Sequence, residues 1–114
     1  MSAREVVPID DVGRLEVATR VFTAAERAYA ASKSDPDRRL AARLAAKRAA
    51  AGLLGEGIEP ADIEVLAARG GPPRLSLSAR ALERLRALGA DRALVSLTHG
   101  RTHAAASVLL LEAE

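Results

Sequence analysis

The chain has 114 residues, among them 26 alanines, 15 arginines, two lysines and only one phenylalanine and one tyrosine as aromatics, a length that admits one small domain, residues 1–114. With no cysteine there is no disulfide framework, zinc ribbon or thiol nucleophile, and no apolar run approaches the roughly 20 residues of a membrane span. The formal charge is only +2 from 17 basic and 15 acidic residues, and without stacking aromatics the chain does not read as a nucleic-acid module.

Alanine supplies so much of the 49% hydrophobic content that large core side chains are scarce, which favours association of subunits. The opening MSAREVVPIDD carries acids where a secretory signal needs an apolar stretch, so a cytoplasmic location is expected. In chain order, Val6, Val7 and Ile9 form a β-prone run ended by Pro8 and the acids Asp10 and Asp11, which predicts a short strand entering a turn. Thr23-Ala24-Ala25-Glu26 has capping-box spacing and predicts a helix start. Ser32 to Pro36 ends that helix, because the residue before a proline is pushed out of helical geometry. From Asp37 to Leu54 the spacing predicts the longest helix, with Leu40, Leu44, Ala51 and Leu54 on one stripe and Arg38, Arg39, Arg43, Lys47 and Arg48 around it. Gly52, Gly55 and Gly57 loosen and stop it.

Beyond that stop, Ile63 to Ala67 and Arg74 to Leu77 flank the turn Gly70-Gly71-Pro72-Pro73 and predict a hairpin. Ser78 caps a helix running to about Leu88, halted by Gly89, and strands are expected at Ala93 to Thr98 and Ala104 to Leu111 on either side of the Gly100 turn. The fold class is α+β.

This order of residues resembles the holo-acyl-carrier-protein synthases of the 4'-phosphopantetheinyl transferase superfamily. Ile9-Asp10 resembles the end of the family's Gly-Ile-Asp strand, and Val21-Phe22-Thr23-Ala24-Ala25-Glu26 its Phe-Thr-x-x-Glu helix start. Arg43-Leu44-Ala45-Ala46-Lys47-Arg48-Ala49 is similar to its Arg-Phe-Ala-x-Lys-Glu-Ala helix, and Leu54-Gly55-Glu56-Gly57-Ile58 to the Leu-Gly-x-Gly-Ile loop that follows. Gly71-Pro72-Pro73 resembles the Gly-Lys-Pro turn, and Val95-Ser96-Leu97-Thr98-His99 the Val-Ser-[Ile/Leu]-[Ser/Thr]-His strand end. The resemblance implies a small antiparallel sheet packed against a long helix, and a homotrimer with clefts between subunits. It also implies Mg²⁺-dependent transfer of the phosphopantetheine arm of coenzyme A to a serine of an acyl or peptidyl carrier protein.

The same resemblance places the metal on Asp10 and on the glutamate of Lys-Glu-Ala, with a lysine one turn later near the phosphates. Arg48 stands at that glutamate position and Gly52 at that lysine position, four residues apart on one helix face. For Mg²⁺ about 4 Å away at an effective dielectric near 20, an attraction of about 8 kcal/mol becomes repulsion of the same order. Impaired transfer is therefore expected, with an active transferase as the alternative. Coenzyme A is expected against Arg43, Lys47, Gly71, Pro73, Thr98 and His99.

Further departures point the same way. Val6 and Pro8 replace glycines before Asp10, Pro72 replaces the lysine of Gly-Lys-Pro, and only Asp11 to Val21 precedes Phe22, so the basic helix that docks the carrier protein is shortened or absent. From the residues alone, Asp10 reads equally as a turn or cap residue, and Arg39, Arg43 and Lys47 as a solvated face. His99 and His103 are four apart, but Gly100 argues against a helix joining them into a metal site.

Overall fold

Strand β1 (Ser2–Pro8) pairs antiparallel with β5 (His103–Glu112), which pairs antiparallel with β4 (Ala90–His99), giving a three-stranded sheet in the order β1-β5-β4. The computed structural model describes residues 1–14, 18–67 and 70–114. Alternation along β5 buries Ala104, Ala106, Val108 and Leu110, and Val7 of β1 shares that inner face. Against it lies α3 (Pro36–Leu54), whose Ala41, Ala42, Ala45, Ala46, Ala49 and Ala50 are all buried. The alanines are therefore packing residues as well as helix formers: small side chains on both surfaces let the helix axis approach the sheet closely.

Helix α3 starts at Pro36, one residue before the sequence expectation, because proline at the first helical position gives up only an N–H that would be unpaired anyway. It stops at Gly55, whose φ of 99° suits glycine alone. There the Arg84 guanidinium donates to Leu54 O (3.1 Å) and Glu56 O (3.2 Å), satisfying carbonyls at the helix end. Arg84 Nη1 also stands 3.0 Å from where a Gly55 Cβ would be, so both backbone and space exclude a side chain.

A 3-10 turn (Ile9–Arg14) follows β1, and α1 (Ala18–Val21) and α2 (Ala24–Ala31) come next. The capping box forms as expected, with Thr23 Oγ1 accepting from Glu26 N (3.2 Å) and Glu26 Oε1 accepting from Thr23 N (2.8 Å). After α3, a 3-10 turn (Pro60–Asp62) leads into β2 (Ile63–Leu66), which pairs antiparallel with β3 (Arg74–Leu77) in a separate two-stranded sheet. Ser78 caps α4 (Ala79–Ala87) by accepting from Ala81 N. The α+β class and the antiparallel sheet against a long helix are as expected. Element ends move: β1 begins at Ser2 and β4 at Ala90, because pairing with β5 extends both strands past their β-prone cores. The stripe on α3 also needs correction, since Leu40 and Ala51 are only half-buried whereas Arg43 and Lys47 are buried. Part of the segment expected to lack a docking helix, 15–17, lies outside the described residues. Among the described residues, no helix is long and apolar enough to cross a membrane.

Candidate functional site

Arg43 and Lys47 lie one turn apart on α3, and their environments separate their roles. Lys47 is 0% exposed, and its Nζ donates to Glu26 Oε1 (2.5 Å) and to the Ile63 carbonyl (2.5 Å), 5.8 Å from the Phe22 ring centroid. Glu26 is buried as well, and its Oε2 accepts from Val65 N (2.8 Å). Burial pushes the Lys47 ammonium below its ordinary pKa, and the hydrogen bond to Glu26 opposes that shift. The expectation that Lys47 meets coenzyme A is thus corrected: its charge faces inward, onto Glu26, and has no open approach.

Arg43 is 4% exposed, and its guanidinium carbon stacks 4.1 Å from the Tyr29 ring centroid. Its Nη1 reaches Arg39 O only at 3.5 Å, and its Nε is buried with no acceptor among the described residues. Burial lowers the Arg43 pKa, yet an arginine stays protonated at neutral pH. A buried donor left without a protein acceptor is uncommon and costly, and here it borders a cleft.

That cleft has a volume of about 220 Å³ and is lined by Tyr29, Arg39, Arg43, Gly71, Pro73 and His99, with Ala42, Ala67 and Leu97 between them. Arg39 is anchored one turn back by Asp35 (Nε to Oδ1 3.0 Å), which raises the Arg39 pKa and lowers that of Asp35. The sequence-nominated Arg43, Gly71, Pro73 and His99 therefore meet in one place. Thr98 does not join them. It lies beside Arg4, Ser96 and Ser107 on the outer face of the sheet, because neighbouring strand residues point to opposite faces. Tyr29 was missed by sequence reasoning, although it sits three residues after the capping Glu26 and is the chain's one tyrosine.

Two much larger concavities lie elsewhere. One of about 710 Å³ is walled by β3, α4 and β4 and includes Arg74 and Arg92 beside Asp91, and one of about 770 Å³ lies on the outer face of the sheet with Arg4 at its edge; both are mostly apolar. The smaller cleft differs from both in combining a stacked guanidinium, a second arginine and an imidazole.

The resemblance implies a metal held from the turn after β1 and from α3, at Asp10 and at the position of Arg48. Asp10 is exposed in the turn after β1, where Ile9 N donates to Thr102 O (2.8 Å) and pins the turn to the β4–β5 connection. Arg48 is exposed on α3 with no ion pair among the described residues, and Gly52 is exposed one turn later. Among the described residues, no group of three or more histidines and carboxylates could hold a metal ion. Mg²⁺ is usually held by one or two carboxylates together with substrate phosphates and water; Asp10 and Asp11 are the carboxylates of the turn after β1, and Arg48 adds none from α3.

No family model matches the chain. It is similar to the holo-[acyl-carrier-protein] synthase of Nitratidesulfovibrio vulgaris strain DP4, 53% identical over 75 residues, a match spanning 62% of this chain and 60% of that relative's length. Among solved structures it is similar to Helicobacter pylori holo-[acyl-carrier-protein] synthase in complex with coenzyme A, with a TM-score of 0.79 at 18% identity over 96% of this chain and 99% of that one. A holo-[acyl-carrier-protein] synthase of Moorella thermoacetica is 39% identical over 115 residues, covering 91% of this chain and 90% of the relative. On that full-length likeness, together with the shared fold, the chain belongs to the holo-[acyl-carrier-protein] synthase family.

Proposed function

We propose that this protein binds coenzyme A in the cleft of Tyr29, Arg39, Arg43 and His99 and is impaired in transferring its phosphopantetheine arm to a carrier protein. The observation that carries the proposal is a cationic cleft beside a helix that offers Arg48 and Gly52, rather than a carboxylate and a lysine, to a phosphate-bound metal. Coenzyme A supports the reading by its chemistry. It carries a diphosphate and a further phosphate, and Arg43 and Arg39 line the cleft with fixed positive charge and forked donors. The coenzyme A complex of the Helicobacter pylori relative agrees with it. Arg43 supplies charge and forked donors, Tyr29 keeps the guanidinium in one plane, and Gly71 and Pro73 form a wall whose backbone admits a ligand closely.

In this reading the fixed cations of the cleft, Arg39 and Arg43, are the groups that meet the phosphates. The alternative, an active 4'-phosphopantetheinyl transferase, is favoured by the 39% identity to a named synthase. Mass spectrometry of an apo carrier protein incubated with coenzyme A, Mg²⁺ and this protein separates the two. No mass gain on the carrier serine is expected, and substantial modification by the wild-type chain overturns the impaired reading.

A further inference from the structure

Helices α2 and α3 run antiparallel across the break at 32–35, and two contacts join them in register. Glu26 meets Lys47, and Tyr29 meets Arg43. Moving from the first contact to the second climbs three residues on α2 and descends four on α3, about 4.5 Å and about 6 Å along the two helices. The contacts are successive rungs between the same two helices.

The rungs differ in how they are held. At the first, Glu26 accepts from Thr23 N, Lys47 Nζ and Val65 N, while Lys47 also donates to Ile63 O, so α2, α3 and β2 are tied at one buried point. At the second, the contacts of the Arg43 guanidinium among the described residues are the stacked Tyr29 ring and one hydrogen bond of 3.5 Å, and its Nε lacks an acceptor there. The weak rung cannot set its own geometry. It inherits the rotation of α2 from the strong one. The strong rung also reaches the opposite wall, since Val65 of β2 pairs with Leu75 of β3, two residues after Pro73.

We propose that Glu26 and Lys47 are the positioning pair of the cleft. They hold Tyr29 against Arg43 and so aim the guanidinium at a phosphate-bearing ligand. The ligand part of this inference rests on the coenzyme A reading above, whereas the placement of Tyr29 does not. Neither residue touches the ligand, since both are buried behind the cleft wall.

Tyr29 is the only tyrosine and the chain has no tryptophan, so ultraviolet emission of the full chain reports one ring, and that ring is in the cleft. Acrylamide quenching of Tyr29 and titration with coenzyme A are measured on wild type, Lys47→Met, Glu26→Gln, Arg43→Met and Leu85→Ala. Arg43→Met sets the value for an uncovered ring. Leu85→Ala removes a core side chain in the cluster of Ala49, Leu54 and Ile63 and serves as a destabilised control outside the cleft. Lys47→Met and Glu26→Gln are expected to raise quenching toward the Arg43→Met value and to weaken coenzyme A about tenfold, while Leu85→Ala loses thermal stability and keeps both properties. Glu26→Gln preserves shape and decides the matter if Lys47→Met does not fold. Wild-type quenching in a folded Glu26→Gln, or an equal rise in Leu85→Ala, overturns the proposal. If the wild type binds no coenzyme A while the quenching order holds, the ligand reading falls and the positioning pair stands.

Discussion

Arg48 and Gly52 stand on α3 where the resemblance implies a glutamate and a lysine, and the helix forms with neither. Both are exposed on α3, and a Cβ built at Gly52 meets nothing within 4 Å, so neither position is held by packing. Gly52→Lys should therefore stabilise the helix by about 0.5–1 kcal/mol, since a mid-helix glycine carries the larger entropy loss on folding, and thermal unfolding reads the sign directly. The double variant Arg48→Glu with Gly52→Lys returns a carboxylate and an ammonium to one helix face. Calorimetry should show Mg²⁺ binding in that variant and none in the wild type, and a wild type that binds Mg²⁺ at this site would show that Arg48 does not block it. Lys47 fixes the register in which the sequence reads Arg48 and Gly52 as departures from the resemblance. The roles of Arg43 and Lys47 were not. Four-residue spacing puts both on one side of the helix, and only the arrival of Glu26 from α2 turns one inward and leaves the other beside the cleft.

At the scale of elements, local chemistry was read well and pairing poorly. The Thr23 and Ser78 caps, the stop at Gly55 and the β2–β3 hairpin each depend on a few adjacent residues, and all were visible. The start of β1 at Ser2 depends on a partner a hundred residues away, since Ser2 sits opposite Leu109. The buried face of α3 was obscured for a different reason. Alanine occurs on every side of that helix, so the few leucines carried the whole periodicity. One junction yields a pH prediction. Asp62, just before β2, accepts from Ser78 Oγ (2.8 Å) and Arg80 Nη2 (2.8 Å), while Ser78 N donates to its carbonyl (2.8 Å), tying the hairpin to α4. The Arg80 hydrogen bond, ahead of those from the Glu59 N–H and Ser78, holds the Asp62 carboxyl well below its ordinary 3.8. A carboxylate depressed by folding contributes stability above its unfolded pKa and loses it as pH falls from about 3.8 toward the folded value. Asp62→Asn should thus melt lower than wild type at neutral pH, with the gap closing in acid below that range. A gap that persists or widens there would remove the ion pair as its cause.

Among the described residues, one face of the main sheet is left uncovered. α3 occupies the inner face, whereas Val6 (56% exposed), Leu94 (49%) and Leu109 (41%) project from the outer one, with Leu94 directly opposite Leu109 in the ladder. Ser96 and Ser107 are likewise opposite each other on that face, so the apolar and small side chains form a continuous surface with a concavity of about 770 Å³. An alanine-rich core of this size gains stability by burying such a surface against further copies, and the family resemblance supports three of them. We propose a homotrimer assembled through this face. Light scattering should give about three times 11.9 kDa, with a melting temperature that rises with protein concentration. Leu94→Glu combined with Leu109→Glu sets two carboxylates side by side on the exposed face without touching the packing of α3. That variant should run as an 11.9 kDa monomer that keeps its circular dichroism, since burying unpaired charge in an interface is strongly unfavourable. A wild type that is monomeric at every concentration, or a double variant that remains trimeric, would place the contacts between copies somewhere other than the outer sheet.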